Sequence, residues 1–130
     1  MPALHIEHFA CNVSDPVAMA AWYVKNLGMR VAVHNPAAFE RHFLADASNR
    51  VVMEIYGNPA DQVPDYATQH PLRFHVAFAA SDLDAVKGEL LAAGATYVNE
   101  DNYPDGSRLM MLRDPWGLAL QLVRRATPLL

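Results

Sequence analysis

Four side chains that can bind a metal ion stand at matched intervals along the sequence: His8, Glu54, His75 and Gln121. Glu54 follows His8 by 46 positions, and Gln121 follows His75 by the same 46 positions. Two imidazoles, one carboxylate and the neutral oxygen of an amide suit a borderline divalent cation. The pattern predicts a site for one divalent metal ion, which could be Zn, Ni, Co, Mn or Fe.

Strand periodicity places these four groups on equivalent faces. Side chains of a strand alternate between two faces, so a polar residue among apolar ones can be assigned a side. In VVMEIY, residues 51–56, Glu54 lies opposite an apolar face that includes Val51, and in RFHVAFA, residues 73–79, Arg73 and His75 lie opposite an apolar face. A lone histidine in such a strand is also compatible with a hydrogen-bonded core residue. An ionised carboxylate in a strand is costly unless it is paired, metal-bound or hydrated, and this favours the metal site.

The positions match because the chain contains an internal repeat. At an offset of about 67 residues, several residues meet a similar residue in the second half, and these pairs are His8 and His75, Asp15 and Asp82, Arg41 and Arg108, and Glu54 and Gln121. Self-similarity at a fixed offset is strong evidence for a repeated architectural unit. The sequence predicts two copies of one unit.

Each copy has the pattern of a β-α-β-β-β module. In the first, Ser14 or Asp15 can cap a helix that begins at Pro16 and ends before Gly28; in the second, Ser81 or Asp82 precedes a helix that ends before Gly94. Apolar alternation and turn residues predict strands over 4–13, 29–33, 39–45 and 50–56, and over 72–80, 95–100, 108–113 and 118–124. We therefore predict one domain, 1–130, with module one at 1–56, a proline-containing linker at 57–71 and module two at 72–127.

Composition narrows the function classes. The 130 residues are 52% hydrophobic and 18% charged, which fits a soluble globular chain rather than a disordered or fibrous one. The net charge is −4, so nucleic acid and anionic membrane are not expected partners. The start of the sequence lacks a basic region followed by a long apolar run, and Cys11 has no cysteine partner. A cytoplasmic location is expected.

The sequence resembles the vicinal oxygen chelate superfamily, which includes glyoxalase I, methylmalonyl-CoA epimerase, extradiol dioxygenases, and fosfomycin- and bleomycin-resistance proteins. The resemblance rests on HFACNVSDPVAMAAWYVKNLGM at 8–29, VVMEIY at 51–56, FHVAFAASDLDAV at 74–86 and DPWGLALQLV at 114–123. It implies an α+β fold in which two pseudo-symmetric modules form a cup-shaped sheet, with the helices on its outer face and one metal inside. The family's ligand positions fall on His8, Glu54, His75 and Gln121.

The resemblance also implies a function. In glyoxalase-like enzymes the metal binds an enediolate and a glutamate at the last ligand position moves a proton, but here that position is Gln121, which cannot accept a proton near neutral pH. We therefore expect a metal-dependent isomerase or lyase, acting on a small carbonyl or thioester substrate, in which Glu54 is the catalytic base. A non-catalytic binding protein of the bleomycin-resistance type is the alternative, and an iron-dependent extradiol dioxygenase is third.

Other residues receive simpler assignments. Arg73 and Tyr56 flank ligand positions on the inner face of the predicted cup, so they are candidate substrate contacts. The remaining histidines are interpreted as strand-edge or loop residues, and they are His5, His34, His42 and His70. Open sheet edges and the family resemblance predict a homodimer, with the cup formed either within one chain or across two.

Overall fold

The computed structural model describes residues 1–50 and 52–130, and the chain divides into two compact units. The first unit is Met1–Pro64 and the second is Asp65–Leu130. The boundary between them falls inside the segment 57–71 that the sequence predicts as a linker. Val51, which the sequence analysis places on an apolar strand face, lies outside the described residues.

The first unit contains one helix and one four-stranded sheet. Its elements are β1 (His8–Asn12), α1 (Pro16–Leu27), β2 (Arg30–Asn35), β3 (Arg41–Ala45) and β4 (Val52–Tyr56). The strand order is β1-β4-β3-β2, with β1 parallel to β4 and the other neighbours antiparallel. The first and last strands of the unit are therefore adjacent.

Helix α1 begins and ends where its capping residues predict. The Asp15 carboxylate accepts a hydrogen bond from the backbone N–H of Ala18 at 3.0 Å, and Pro16 opens the helix. Gly28 ends it with a φ of +66°, a left-handed conformation that glycine adopts without a Cβ penalty. Met19 and Tyr23, one turn apart, are fully buried, so α1 covers one face of the sheet.

The covered face of the sheet is here called the helix face, and its side chains form the apolar core of the first unit. Leu44 on β3 pairs with Met53 on β4, and both are almost completely buried. Ile55 on β4, also fully buried, pairs with His42. The opposite side of the sheet, here called the polar face, carries Glu54 and its neighbours.

The second unit repeats this arrangement after a short 3-10 helix, Tyr66–Thr68. Its elements are β5 (Val76–Ala79), α2 (Leu83–Ala92), β6 (Thr96–Asn102), β7 (Arg108–Arg113) and β8 (Ala119–Arg124), with strand order β5-β8-β7-β6. Met110 pairs with Leu122 and Leu112 pairs with Leu120, and these four side chains form its core at 0–1% exposure. The predicted α+β fold of two repeated β-α-β-β-β modules is confirmed.

Two predicted strands begin later than their sequence pattern indicates. The run at 4–13 forms a strand only from His8, which pairs with Val52 of β4, and Leu4 and Ile6 are exposed. The run at 72–80 forms a strand only from Val76. A turn in which the Arg73 N–H donates to the His70 carbonyl at 2.9 Å occupies the residues before it, with Pro71 at the position that proline favours.

An arginine-centred ion pair ties α2 to the sheet of the second unit. The Arg108 guanidinium contacts Glu100 on β6 at 2.6 Å and Asp84 in the first turn of α2 at 3.0 Å. Hydrogen bonds from Arg108 hold the pKa of Asp84 below its ordinary value of 3.8, and the two carboxylates raise the pKa of Arg108. Asp84 is charged throughout the neutral range in this arrangement.

We expect Asp84→Asn to lower the urea midpoint of unfolding slightly near pH 7 and less at a pH well below the ordinary Asp84 pKa of 3.8. Because folding depresses the pKa of Asp84, its contribution is present above the ordinary value and is lost as the pH falls through the folded-state value. Asp101→Asn, at an exposed site on β6, is the control. An equal loss for Asp84→Asn at both pH values would contradict this assignment.

Within the described residues, neither helix is long and apolar enough to cross a membrane.

Candidate functional site

The structure brings His8 and Glu54 together on the polar face of the first unit. Parallel pairing sets Ala10 beside Glu54, and His8 lies on the same face two residues earlier. His8 Nε2 is 3.2 Å from Glu54 Oε2, and the side chains are 35% and 11% exposed. The ring of His8 stands edge-on to Phe43, the cross-strand partner of Glu54, with 5.4 Å between ring centroids. Two of the four predicted metal ligands are therefore in contact.

Both ring nitrogens of His8 face carboxylate oxygens. Nδ1 lies 3.0 Å from Glu7 Oε1, and Nε2 lies 3.2 Å from Glu54 Oε2. A neutral imidazole carries one N–H and one lone pair, so it can donate to only one of these acceptors. The ring satisfies both only as a cation, or with a cation between Nε2 and Glu54.

Arg41 is the other partner of Glu54. Its Nε is buried and lies 2.9 Å from Glu54 Oε1, as an ion pair whose alignment is too poor for a hydrogen bond. The buried carboxylate thus has one oxygen facing a guanidinium and one facing an imidazole. This arrangement compensates the charge of Glu54 and leaves Oε2 as the oxygen available to a metal.

The second unit positions its two predicted ligands, His75 and Gln121, at equivalent places in or next to its own sheet. Gln121 on β8 pairs with Ala77 on β5 and lies between the fully buried Leu120 and Leu122, which point to the opposite face. His75 directly precedes β5, and its Nδ1 lies 3.0 Å from the carbonyl oxygen of Pro71. A carbonyl can only accept, so Nδ1 carries the proton and Nε2 presents the lone pair, as in metal-binding histidines.

The two candidate substrate contacts differ in setting. Tyr56 ends β4 on the polar face, where it is half-buried and pairs with Asn12. Arg73 is exposed and belongs to the turn before β5, so strand alternation does not assign its direction. Tyr56 therefore lies on the polar face, whereas the role of Arg73 stays a prediction.

A group of three side chains on the β2–β3 hairpin was not recognised from the sequence. His34, Glu40 and His42 offer ligand atoms that all lie within 4.8 Å of one another. The sequence pattern indicates strand-edge or loop positions for both histidines, but His42 is a buried residue of β3. No sequence signal marks this group, because the pairing of His34 with His42 depends on a register shift between Val31 and Val33.

The second unit also carries an apolar groove that the sequence did not predict. Its volume is about 480 Å³, within the range of small-molecule sites. It lies where β5 and β8 end, and its lining includes Ala80, Val123, Arg124 and Leu129.

Comparison with known proteins places the chain in a family. The model of the glyoxalase-like domain family matches residues 8–123. The two β-α-β-β-β units are therefore those of a glyoxalase-like domain. The chain belongs to the glyoxalase-like domain family, as the sequence resemblance predicts. Comparison with curated protein sequences gives no match.

Solved structures show the same fold. A glyoxalase/bleomycin resistance protein/dioxygenase superfamily member from Sphaerobacter thermophilus is 17% identical with a TM-score of 0.74, over 95% of this chain and 98% of that one. TnmS3, an antibiotic binding protein from Streptomyces sp., is 21% identical with a TM-score of 0.71, over 94% and 96%. A glyoxalase/bleomycin resistance protein from Albidiferax ferrireducens is 24% identical with a TM-score of 0.64, over 92% and 98%.

Proposed function

We propose that this protein is a metal-dependent isomerase or lyase that acts on a small carbonyl or thioester substrate. The observation that carries the proposal is the position of His8 between two carboxylates. Its Nδ1 is oriented by Glu7, and its Nε2 points at Glu54 Oε2 from 3.2 Å. A carboxylate that orients one imidazole nitrogen while the other faces a second ligand is the usual surrounding of a metal-bound histidine.

The donor set fits a divalent ion. Two ligand atoms, each roughly 2.1 Å from a tetrahedral metal, lie roughly 3.4 Å apart, which is close to the 3.2 Å between His8 and Glu54. The proposal takes the remaining ligands, His75 and Gln121, from the sequence repeat. When bound, the metal would act as a Lewis acid toward a substrate oxygen.

The chain's own residues would then supply the proton chemistry. Glu54 is the carboxylate of this donor set, so we assign it the removal of a proton from the carbon next to the substrate carbonyl. Arg41 holds Glu54 Oε1 and so limits the directions in which that carboxylate can turn. Tyr56, on the same face, is a candidate substrate contact. We propose a homodimer, which the exposed valines of edge strand β2 support.

Metal content tests the proposal directly. We expect His8→Ala to lower the amount of bound Zn or Co, measured by elemental analysis and calorimetric titration, by one ion per chain. His5→Ala, which removes an exposed histidine near the same terminus, is the matched control and should keep the parent value. If His8→Ala binds as many ions as the parent, with the same affinities, His8 is not a ligand and the enzyme proposal fails.

A non-catalytic small-molecule binding protein is the second candidate. The contact of Arg41 with Glu54 favours it, because the guanidinium already compensates the carboxylate charge without a metal. The apolar groove of the second unit and the likeness to TnmS3, described as an antibiotic binding protein, also support it. A parent protein that binds small apolar ligands but turns over no member of a panel of hemithioacetals and acyl-CoA thioesters would favour this candidate.

A further inference from the structure

We propose that His34, Glu40 and His42 form a second divalent-cation site, on the helix face of the first unit and independent of Glu54. Glu40 is in the turn between β2 and β3, and the two histidines lie on the two strands that flank it. Two imidazoles and one carboxylate are the protein ligands of many zinc sites and of iron sites with open positions. The ligand would be a borderline divalent cation such as zinc.

The three side chains are already close enough to share one ion. His34 Nε2 is 2.7 Å from Glu40 Oε2, and the two imidazole rings stack with 4.0 Å between centroids and 19° between planes. All the candidate ligand atoms lie within 4.8 Å of one another. A tetrahedral ion needs separations of roughly 3.4 Å, so it requires side-chain movements of about 1 Å and a rotation of one stacked ring that turns its lone pair toward the ion. His34 and Glu40 are about 40% exposed and can make them.

His42 is held in the tautomer that a metal requires. Its Nδ1 lies 2.6 Å from the backbone carbonyl oxygen of Glu40, and a carbonyl accepts hydrogen bonds but cannot donate them. Nδ1 therefore carries the proton, and Nε2 of the neutral ring carries the lone pair. His42 is 6% exposed, and the described residues give its Nε2 no hydrogen-bond partner. A buried imidazole oriented through its other nitrogen resembles a metal-binding histidine.

The backbone of the turn carries strain at the ligand itself. Phe39 and Glu40 have φ values of +56° and +52°, although neither is glycine. Left-handed conformations at such residues cost free energy and are retained where surrounding contacts impose them. Here the Phe39 carbonyl accepts a hydrogen bond from the Gly57 N–H at 2.8 Å, which fixes the turn that presents Glu40 to His34.

The hairpin group is separate from the His8 and Glu54 contact. His42 pairs with Ile55, whereas Phe43 pairs with Glu54, so consecutive residues of β3 point to opposite faces of the sheet. Arg41 lies between two hairpin ligands in sequence and contacts Glu54 from the polar face. An ion bound by Glu40 and His42 would therefore fix the backbone on both sides of Arg41, which gives the second site a structural role.

The decisive test uses a chain in which the first contact has been removed. In His8→Ala/Glu54→Gln, we expect Co²⁺ titration to show one remaining ion with a visible absorption band, and Zn²⁺ to raise the thermal midpoint. Adding His34→Ala should weaken that binding at least about tenfold, whereas adding His5→Ala should not. Failure of the proposed enzyme function leaves this result unchanged, because the background already lacks His8 and Glu54.

Two outcomes would overturn the proposal. One is a folded His8→Ala/Glu54→Gln protein that binds no Co²⁺, and the other is undiminished binding after His34→Ala. If the background does not fold, judged by circular dichroism, His34→Ala and His5→Ala are compared in the parent chain. There, His34→Ala should lose one ion per chain in elemental analysis, whereas His5→Ala should not. Adding Zn²⁺ should shift the ¹⁵N resonance of His42 Nε2 in His5→Ala but not in His34→Ala. Equal ion content in both variants would contradict the site.

Discussion

Gly117→Ala is expected to destabilise the second unit by about 2–5 kcal/mol in urea unfolding. Gly117 follows Trp116 in the turn before β8 and has a φ of +90°, where any Cβ is strained. An added Cβ would lie 2.6 Å from the Cβ of Ala67 and 2.7 Å from its Cα and its backbone nitrogen. Backbone atoms cannot rotate away as a flexible side chain can. The 3-10 helix Tyr66–Thr68 must move instead.

That movement would break a set of hydrogen bonds around Arg113. Its Nη1 donates to the carbonyl oxygens of Tyr66 at 2.8 Å and Gly117 at 3.0 Å, and its Nη2 donates to that of Gln69 at 2.7 Å. The arginine therefore ties the 3-10 helix to the turn that contains Gly117. Shifting either segment by the distance that a methyl group requires would lengthen these bonds.

Gly106→Ala is the matched control, because Gly106 has a φ of +91° and nothing within 4 Å of an added Cβ. It should lose only the backbone contribution, about 1–2 kcal/mol. The difference between the two variants then measures the collision with Ala67. Equal losses would show that conformation alone explains both effects.

The helices were predictable because their termination signals are local. Asp15 and Pro16 at one end of α1 and Gly28 at the other act through the backbone within one turn, so no knowledge of the rest of the chain is needed. Strand beginnings depend on a partner instead. The apolar pattern of residues 4–7 matches that of β1, but these residues remain outside the sheet.

The contact between His8 and Glu54 was predictable for a related reason. Strand alternation assigned both to the face opposite the core, and the repeat showed that their strands hold equivalent places. Arg41 was not recognised as the partner of Glu54, because the repeat matches it to Arg108, which instead binds Asp84 and Glu100. The equivalent arginines of the two copies, Arg41 and Arg108, therefore make different contacts.

The group of His34, Glu40 and His42 could not be predicted from the sequence, because β2 contains an irregularity in its pairing. Arg30 pairs with Ala45 and Val31 pairs with Leu44, but a bulge between Val31 and Val33 shifts the register by one residue. At the unshifted register His34 would pair with Arg41 and lie on the polar face, away from His42. A one-residue slip reverses the face of every later side chain, and nothing in the composition of β2 marks where it occurs.

The largest functional effect is expected at Glu54. If Glu54 moves the substrate proton, Glu54→Gln should reduce solvent deuterium incorporation into a turned-over hemithioacetal or thioester by about 10²–10⁴-fold, because an amide cannot accept that proton. If Glu54 also binds the proposed metal, the same change should weaken metal binding, since it would replace a carboxylate ligand and leave the buried Nε of Arg41 without its ion-pair partner. Glu89→Gln, on the exposed surface of α2, is the control for loss of one negative charge.

The opposite effect on proton exchange, a gain, is expected for Gln121→Glu. It places a carboxylate at the position where glyoxalase-like relatives have theirs, so we expect it to retain the metal and to gain proton exchange that survives Glu54→Gln. A second carboxylate lowers the net charge of a divalent site with two neutral imidazoles from about +1 to about 0. Such a site polarises a bound carbonyl less, and the gain in exchange should therefore be partial. Glu54→Gln that exchanges deuterium as fast as the parent would remove Glu54 as the base.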